Sequence, residues 1–249
     1  DSVASRGLGD VYKRQTLDRV NTENYVIDFL SNEWVRNTIV SLLYILLVLF
    51  IGRQLSYKQR LFLAKSIAIL LIITTVTGHA RNIANGYWNI SENLPLHLCG
   101  ISNLIACFIL FTKKNKVLFE FLFYAGIIGG IQAFLTPQIN NFDGSNYEYI
   151  EYHFSHAGII LLPIFMYNYL NYEITKFSWL RVVLYLNVVL MIVMPLNFQI
   201  DSNYMYLAYP PNVNNPLIIG EWPYYVIYWE FIIVIFTYTT YVITTRKKA

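Results

Sequence analysis

Long apolar runs dominate this chain, and each is close to the roughly 20 residues that a helix needs to cross a membrane. Only 13% of its 249 residues are charged, whereas a soluble domain carries about 25%, and the mean hydropathy is +0.43. Seven runs of spanning length can be counted, at residues 34–51, 61–78, 96–112, 117–136, 153–170, 179–196 and 223–244. The sequence therefore predicts an all-α polytopic transmembrane bundle with no large soluble domain. Because the third run is short and Lys65 interrupts the second, six spans remain an alternative.

The first residues differ from the rest of the chain. Ser5 to Gln15 read SRGLGDVYKRQ, which matches the translation of a common transposase-type sequencing adapter. We therefore interpret residues 1–15 as an adapter artefact and expect the genuine protein to begin near Thr16. Residues 16–249 are then expected to form a single integral membrane domain.

The distribution of basic residues favours seven spans and sets an orientation. If seven helices alternate, most Lys and Arg fall on one side, in the first, third and fifth connections and in the C-terminal tail. The other side keeps only Arg19, Arg36 and Arg81, apart from residues 1–15. Lys and Arg prefer the cytoplasmic side, so we expect a multi-pass protein of the cell membrane with its N-terminus outside and its C-terminus in the cytoplasm. The scattered basic residues and the lack of a nucleic-acid motif argue against nucleic-acid binding.

The longest connection, residues 198–222, lies on the expected outer side. It contains Pro210-Pro211, Asn214-Asn215 and Pro216, which mark turns. A loop of this length in a compact membrane protein is often a lid or a binding loop. The alternative is an ordinary interfacial loop with tyrosines and Trp222 at the membrane surface.

All four histidines fall at this same expected membrane edge. His79 ends the second run, His97 opens the third, and His153 and His156 open the fifth. Ionisable groups at a membrane edge cost free energy, so these histidines are functional candidates by default.

Cys99 is the natural chemical partner of these histidines. On a helix, Cys99 shares a face with Asn103 and Cys107, which follow at intervals of four residues. The two cysteines are then about 12 Å apart along the axis, too far for a disulfide, so both are expected to be free thiols. His97 points away from Cys99 if both are helical, but Pro95 allows residues 96–98 to remain a loop. His156 lies one turn into its run, at a depth similar to that of Cys99.

A thiol close to an imidazole ionises and attacks carbonyl carbons, and fatty-acyl esters are the carbonyls present at this depth. We therefore predict a lipid acyl-transfer or hydrolysis site near the outer face, with Cys99 as the nucleophile and His156 as the base. His97 and Asn103 are predicted to orient groups or to stabilise the oxyanion. The alternative for Cys99 is a packing role, which we expect for Cys107. No cofactor is expected.

Other polar residues are candidates for substrate binding or packing. Arg81 suits a lipid phosphate, although it also suits a simple interfacial position. Glu230 lies about two turns into the seventh run and is expected to accept a hydrogen bond from a histidine or an arginine, or to pack against tyrosines. We expect Asn187 to bond between helices and Gly126 and Gly130 to allow close packing. The substrate-binding candidates are His79, Arg81, Gln132, His153 and Glu230.

Two other classes of function remain open. A transporter or small-ligand receptor would use the same outer-facing polar cavity, although no inverted repeat is evident. A histidine-based metal-binding membrane protein is the second alternative, since imidazoles and a thiolate suit zinc or copper. Its signal is weak, because only His153-x-x-His156 has a compact spacing, and we assign no metal.

Several motifs together resemble one protein family. They are LPLHLCGISNL (94–104), HFSHAGIILLPIFM (153–166), NYMYL (203–207), NNPL (214–217) and WPYY (222–225). They resemble the YwaF-like family of bacterial integral membrane proteins over residues 16–249. That family is distantly similar to eukaryotic multispanning proteins that include cysteine-dependent acyltransferases remodelling ether phospholipids. The resemblance implies that Cys99 is the nucleophile, that His156 or His97 is its base, and that membrane lipids are the partners.

Overall fold

A computed structural model describes residues 23–213 and 215–246, so the adapter segment and the start near Thr16 lie outside the described residues. Seven helices make up most of the described chain. They are α1 (Asn32–Gln54), α2 (Tyr57–Ala84), α3 (Leu98–Phe108), α4 (Lys116–Leu135), α5 (Asn146–Tyr169), α6 (Ser178–Gln199) and α7 (Tyr224–Arg246). Within α4, a π-helical turn at Leu122–Gly126 separates the α-helical parts Lys116–Phe121 and Ile127–Leu135.

Five of these helices, α1, α2, α4, α6 and α7, are long and apolar enough to cross a membrane. The chain is therefore a multi-pass membrane protein. Helix α3 is apolar but has only 11 residues, and α5 carries two glutamates and two histidines in its first three turns. The count of seven spans and the orientation of the termini stay predictions.

Polar side chains fix where several helices begin. Ser31 accepts a hydrogen bond from the backbone of Trp34 at the start of α1, and Asn115 accepts from Val117 and Leu118 at the start of α4. Ser145 does the same for Glu148. These caps satisfy backbone N–H groups that the first turn leaves free. Because of the Ser145 cap, α5 begins at Asn146, seven residues before the expected His153.

Contacts near the helix ends give the direction of each helix. Helices α1 and α5 run parallel, because the Tyr149 hydroxyl donates to Glu33 over 2.6 Å near their first turns and Tyr169 donates to the Leu49 carbonyl near their last. Helix α2 runs the opposite way, since Arg81 in its last turn pairs with Asp143 just before α5. We call the end of the bundle where α1, α3 and α5 begin the histidine end.

A short antiparallel sheet lies at the histidine end and was not expected from the sequence. Strand β1 (Glu23–Val26) pairs with β2 (Gln138–Phe142), with Tyr25 opposite Ile139 and Val26 opposite Gln138. The pairing ties the segment before α1 to the connection between α4 and α5.

Helix α5 is the centre of the bundle and packs against α1, α2, α3 and α4. Glycines allow this close packing. A Cβ atom at Gly126 would lie 2.8 Å from the carbonyl oxygen of Ile159, and one at Gly130 would lie 2.9 Å from that of His156. The predicted packing role of these two glycines is therefore confirmed.

Helices α6 and α7 form an antiparallel hairpin beside this core. The ring of Trp179 lies 5.2 Å from that of Tyr238, and Asn187 donates to Glu230 over 2.8 Å. Glu120 on α4 binds Arg181 on α6 and so joins the hairpin to the core at the end opposite to the histidines. Between the hairpin and the core lies a cavity.

Candidate functional site

The cavity has a volume of about 660 Å³ and is bounded by α3, α4, α5, α6, α7 and the connection between α6 and α7. Most of its wall is apolar. Its polar wall includes Asn82, His97, Cys99, Asn103, Gln132, Gln138, Glu148, Glu151, Tyr152, His156, Tyr206 and Glu230. A mostly apolar cavity with a few converging polar groups is typical of a small-molecule or lipid site.

Cys99 lies in the first turn of α3, which begins at Leu98 with His97 as its N-cap residue. His97 is therefore outside the helix, as the alternative based on Pro95 required. The Cys99 side chain is half-buried, and a Cβ atom at Gly129 would lie only 3.1 Å from its Sγ. The absence of a side chain at Gly129 thus makes room for the thiol between α3 and α4.

The ring of His156 is held in one tautomer. Its Nδ1 lies 2.6 Å from the carbonyl oxygen of Tyr152, one turn earlier on α5. A carbonyl oxygen only accepts hydrogen bonds, so Nδ1 carries the proton in the neutral ring and Nε2 keeps a free lone pair. The described residues offer Nε2 no hydrogen bond. His156 therefore brings a potential proton acceptor to the cavity that Cys99 lines.

His97 has the opposite tautomer. Its Nδ1 accepts a hydrogen bond from the backbone N–H of Met205 at 3.1 Å, so in the neutral ring the proton is on Nε2. The ring lies between Tyr204 and Tyr206, each with a centroid separation of 5.4 Å. The two imidazoles that line the cavity thus differ chemically, one offering a lone pair and the other a hydrogen-bond donor.

The connection between α6 and α7 folds over the site. Tyr204 anchors it by donating to the Ile90 carbonyl over 2.7 Å and accepting from the Leu94 N–H over 2.8 Å. The segment then contributes Met205, Tyr206, Leu207, Pro211, Val213, Asn215 and Leu217 to the cavity wall. The connection therefore lies on the cavity, which is the position that the lid interpretation of residues 198–222 predicts.

Tyr206 is an ionisable residue of this connection that lines the cavity. Burial raises the pKa of Tyr206 to about 12, and the charges of Cys99 and Glu92 act in the same direction, whereas a hydrogen bond with Asn140 lowers it. The Tyr206 hydroxyl therefore keeps its proton at neutral pH.

Three further predicted residues line the cavity, and each makes a hydrogen bond to another side chain. The side-chain amide of Asn103 donates to Thr75 over 2.8 Å, which leaves its Oδ1 buried without a hydrogen-bond partner. Gln132 donates to Thr136. Glu230 accepts from Asn187, so its partner is an amide and not the expected histidine or arginine, whereas the predicted interhelical bond of Asn187 is confirmed.

His79, Arg81 and His153 do not line the cavity. His79 accepts a hydrogen bond from the Trp88 indole at 3.1 Å. Arg81 pairs with Asp143 at 2.6 Å. Burial raises the pKa of Asp143, but hydrogen bonds from Ser145 and Arg81 outweigh it and hold this pKa below its usual value. The structure therefore separates these three side chains from Cys99.

His153 shows why helix rotation matters. Its Nδ1 bonds the Tyr149 carbonyl at 2.8 Å, as that of His156 bonds Tyr152. Residues three apart on a helix differ by about 60° in direction. This difference is enough to turn His153 away from the cavity that His156 lines.

An acidic rim on α5 was not predicted from the sequence. Glu148, Glu151, Tyr152 and Ser155 line the cavity together with His156. Glu148, Tyr152 and His156 recur every four residues, and Glu151 and Ser155 are also four apart. This spacing was the available signal, because residues four apart lie on the same helix face.

A smaller polar hollow of about 240 Å³ adjoins the cavity and shares His97 and Tyr206 with it. Its wall also carries Glu92 and a set of asparagines: Asn24, Asn140, Asn141, Asn203 and Asn212. Within residues 23–213 and 215–246, no group of three or more His, Cys, Asp or Glu side chains is placed to hold a metal ion.

Fold and cavity together define a multi-pass helical membrane protein with an amphipathic pocket at one end of its bundle. The family model described as the TMEM164 family matches residues 29–241, and the chain belongs to this family. No curated protein and no solved structure matches the chain.

Proposed function

We propose that this protein is a lipid acyltransferase or lipid hydrolase of the cell membrane, and that Cys99 attacks the ester carbonyl of a membrane lipid. One observation carries the proposal: Cys99 and His156, whose Nδ1 is bound to the Tyr152 carbonyl so that Nε2 keeps the lone pair, line the same mostly apolar cavity. The similarity to cysteine-dependent phospholipid acyltransferases, implied by the sequence motifs, supports the same reaction.

The reaction would proceed in two halves. In the first, His156 Nε2 takes the thiol proton, the Cys99 sulfur adds to the ester carbonyl carbon, and the C–O bond breaks. The leaving alcohol receives the proton from His156, and a thioester remains on Cys99. In the second half, His156 takes a proton from water or from a lysolipid hydroxyl, whose oxygen adds to the thioester carbonyl carbon. The C–S bond breaks, and His156 returns the proton to the sulfur, which restores the thiol.

His97 is proposed to stabilise the oxyanion that forms on the carbonyl oxygen in each half. Its tautomer leaves an N–H donor at Nε2, and a donor fixed before the reaction is what a developing negative charge requires. Asn103 gives its amide donor to Thr75 and keeps Oδ1 free. Because this Oδ1 is buried, we propose that Asn103 positions α3, and with it Cys99 one turn away, against α2.

Gln132 and Glu230 lie on the cavity wall and are proposed to contact the substrate. The polar hollow shared by His97 and Tyr206 offers carboxylate, amide and hydroxyl groups for a polar head group. Any contact of substrate with Arg81, His79 or His153 would occur outside the cavity, and their role in substrate binding stays a prediction.

Acylation of the purified protein by an alkyne-tagged fatty-acyl nitrophenyl ester, in phosphatidylcholine vesicles, tests the proposal. Wild-type protein and the Cys107→Ser variant are expected to acquire a label that hydroxylamine removes, because Cys107 is buried away from the cavity. Cys99→Ser is expected to acquire none. Equal labelling of Cys99→Ser, or a hydroxylamine-sensitive label that maps to Cys107, would overturn the assignment.

A further inference from the structure

The cavity reaches the surface of the bundle at α4. Ile131 and Leu135 are 40% and 43% exposed, although both line the cavity. Within the described part of the chain they are the only cavity-lining residues in the exposed class. They are one helical turn apart on α4, so they mark a single opening at the histidine end.

This opening is framed by apolar residues. Helix α4 is one of the helices that are long and apolar enough to cross a membrane, and both residues at the opening are aliphatic. The neighbouring outward face of α7 is also apolar, with Phe231 and Ile235 63% and 65% exposed. A side opening framed by such residues admits hydrocarbon in preference to a hydrated solute.

Helix α7 leaves space behind the opening because it packs closely along α6 and only weakly against α4. Far from the histidine end, the Tyr167 hydroxyl of α5 donates to the Thr244 carbonyl of α7 over 3.1 Å, which closes the cleft there. Between these points α7 presents an inward stripe at intervals of three and four residues. It consists of Val226, Trp229, Glu230, Ile233 and Phe236. On the α6 side, Leu186 and Leu190 complete the wall.

We infer that this cleft is a binding site for one acyl chain of a membrane lipid, which enters sideways from the leaflet at the histidine end through the opening at Ile131 and Leu135. The chain lies along the α7 stripe toward Phe236, with its ester near α3 and α5. The inference rests on the proposed function only for the reaction at the ester. Binding of the chain itself does not require a reactive thiol.

Photocrosslinking tests the site in the Cys99→Ser protein, so that no thiol chemistry contributes. The probe is phosphatidylcholine with a diazirine near the end of one acyl chain, present in vesicles of unlabelled phosphatidylcholine. We expect crosslinks to Ile233 and Phe236 on the inward stripe. Crosslinks confined to Phe231 and Ile235 on the outward face would overturn the inference.

Blocking the opening gives a second readout with a matched control. Ile131→Trp places an indole in the opening, and Val117→Trp places one at an exposed position of the same helix, 43% exposed and away from the cavity. We expect the yield at Phe236 to fall at least about tenfold in Ile131→Trp, the change that corresponds to about 1.4 kcal/mol of binding, and to stay unchanged in Val117→Trp. Equal yields in the two variants would contradict lateral entry.

The two proposals fail separately. If the acyl ester labels no cysteine but crosslinks map to the inward stripe, the protein binds lipid chains without the proposed thiol reaction. If Cys99 is acylated but the crosslinks avoid the stripe, the reaction stands and the chain lies elsewhere.

Discussion

The Nδ1 atom of His156 donates its hydrogen to the carbonyl oxygen of Tyr152 across 2.6 Å, which fixes the lone pair of the neutral ring on Nε2. His97, two residues before Cys99, has the other tautomer, because its Nδ1 accepts a hydrogen bond from the backbone N–H of Met205. Two backbone contacts therefore assign different chemistry to two identical side chains in one cavity. Substitutions at and around these two rings therefore distinguish proton transfer, oxyanion stabilisation and packing.

Replacement of His156 tests its role as the base. Glutamine has no group that accepts a proton at neutral pH, so His156→Gln should lower the rate of Cys99 acylation by about 10²- to 10⁴-fold, the usual contribution of a general base. The measurement is the time course of labelling by the acyl nitrophenyl ester in vesicles.

His153→Gln is the matched control. It removes a histidine from the same helix with the same Nδ1-to-carbonyl hydrogen bond, but outside the cavity. We expect acylation to slow far less than in His156→Gln, because any contact of His153 with substrate would lie outside the cavity. A similar loss in both variants would mean that the histidines act through the structure of α5 and not through proton transfer.

Two replacements of His97 separate anchoring from oxyanion stabilisation. The carbonyl oxygen of asparagine takes a position near that of Nδ1, so His97→Asn should keep the hydrogen bond from Met205 while losing the Nε2–H donor. We expect acylation to slow by about 10²- to 10³-fold, with residues 198–222 as resistant to protease as in the wild type. His97→Ala should show both slower acylation and lower resistance of residues 198–222 to protease. Wild-type acylation by His97→Asn would exclude His97 as the oxyanion donor.

The apolar runs were sufficient to locate the helices, because transmembrane segments are set by length and hydropathy. Helix ends were harder, and α3 is Leu98–Phe108 where residues 96–112 were expected. Cys99 and His156 line the same cavity, and a direct pairing of the thiol with the imidazole stays a prediction. Which of the other polar residues would join them depends on helix rotation, which an apolar pattern around the whole helix does not define.

Other features of the site could not be read from the sequence. The packing of residues 198–222 onto His97 depends on contacts between segments more than 100 residues apart, such as the bond from Met205 to His97. No sequence motif predicts the π-helical turn at Leu122–Gly126, although such turns often occur near functional sites. Local sequence patterns carry neither kind of information.

The ion pair between Glu120 and Arg181 is expected to support the fold without taking part in the reaction. The Glu120 side chain is 2% exposed and that of Arg181 is 36% exposed, and Glu120 also accepts from the Thr175 backbone N–H. Glu120→Gln should lower the free energy of unfolding by about 1–3 kcal/mol, since it weakens several hydrogen bonds at once. Thermal unfolding in detergent measures this.

The surface variant Lys58→Gln is the comparison for Glu120→Gln, because Lys58 is exposed and its change should stay within about 0.5 kcal/mol. The folded fraction of Glu120→Gln should be acylated at the wild-type rate. Acylation that falls further than the folded fraction would show that the ion pair also controls the cavity.

The adjacent glycines of α4 offer the sharpest test of how the thiol is placed. A Cβ atom at Gly129 would lie 3.1 Å from the Cys99 Sγ, with no other neighbour closer than 3.8 Å. Gly129→Ala should therefore displace the thiol while leaving the packing nearly intact, and acylation should slow by at least about tenfold, since small misplacements of reacting groups strongly reduce rates. The free energy of unfolding should change little.

Gly130→Ala should lower the free energy of unfolding more than it lowers the acylation rate of the folded protein. Its Cβ would lie 2.5 Å from Ile160 Cγ1 and 2.9 Å from the carbonyl oxygen of His156, so α4 and α5 must separate. The expected destabilisation is about 1–3 kcal/mol, as for other overpacked cores. Thermal unfolding and the acylation rate per folded protein, measured on both variants, separate the two effects. If Gly129→Ala is acylated at the wild-type rate, the thiol does not react from its position beside Gly129, and the proposed arrangement of the reaction in this cavity is wrong.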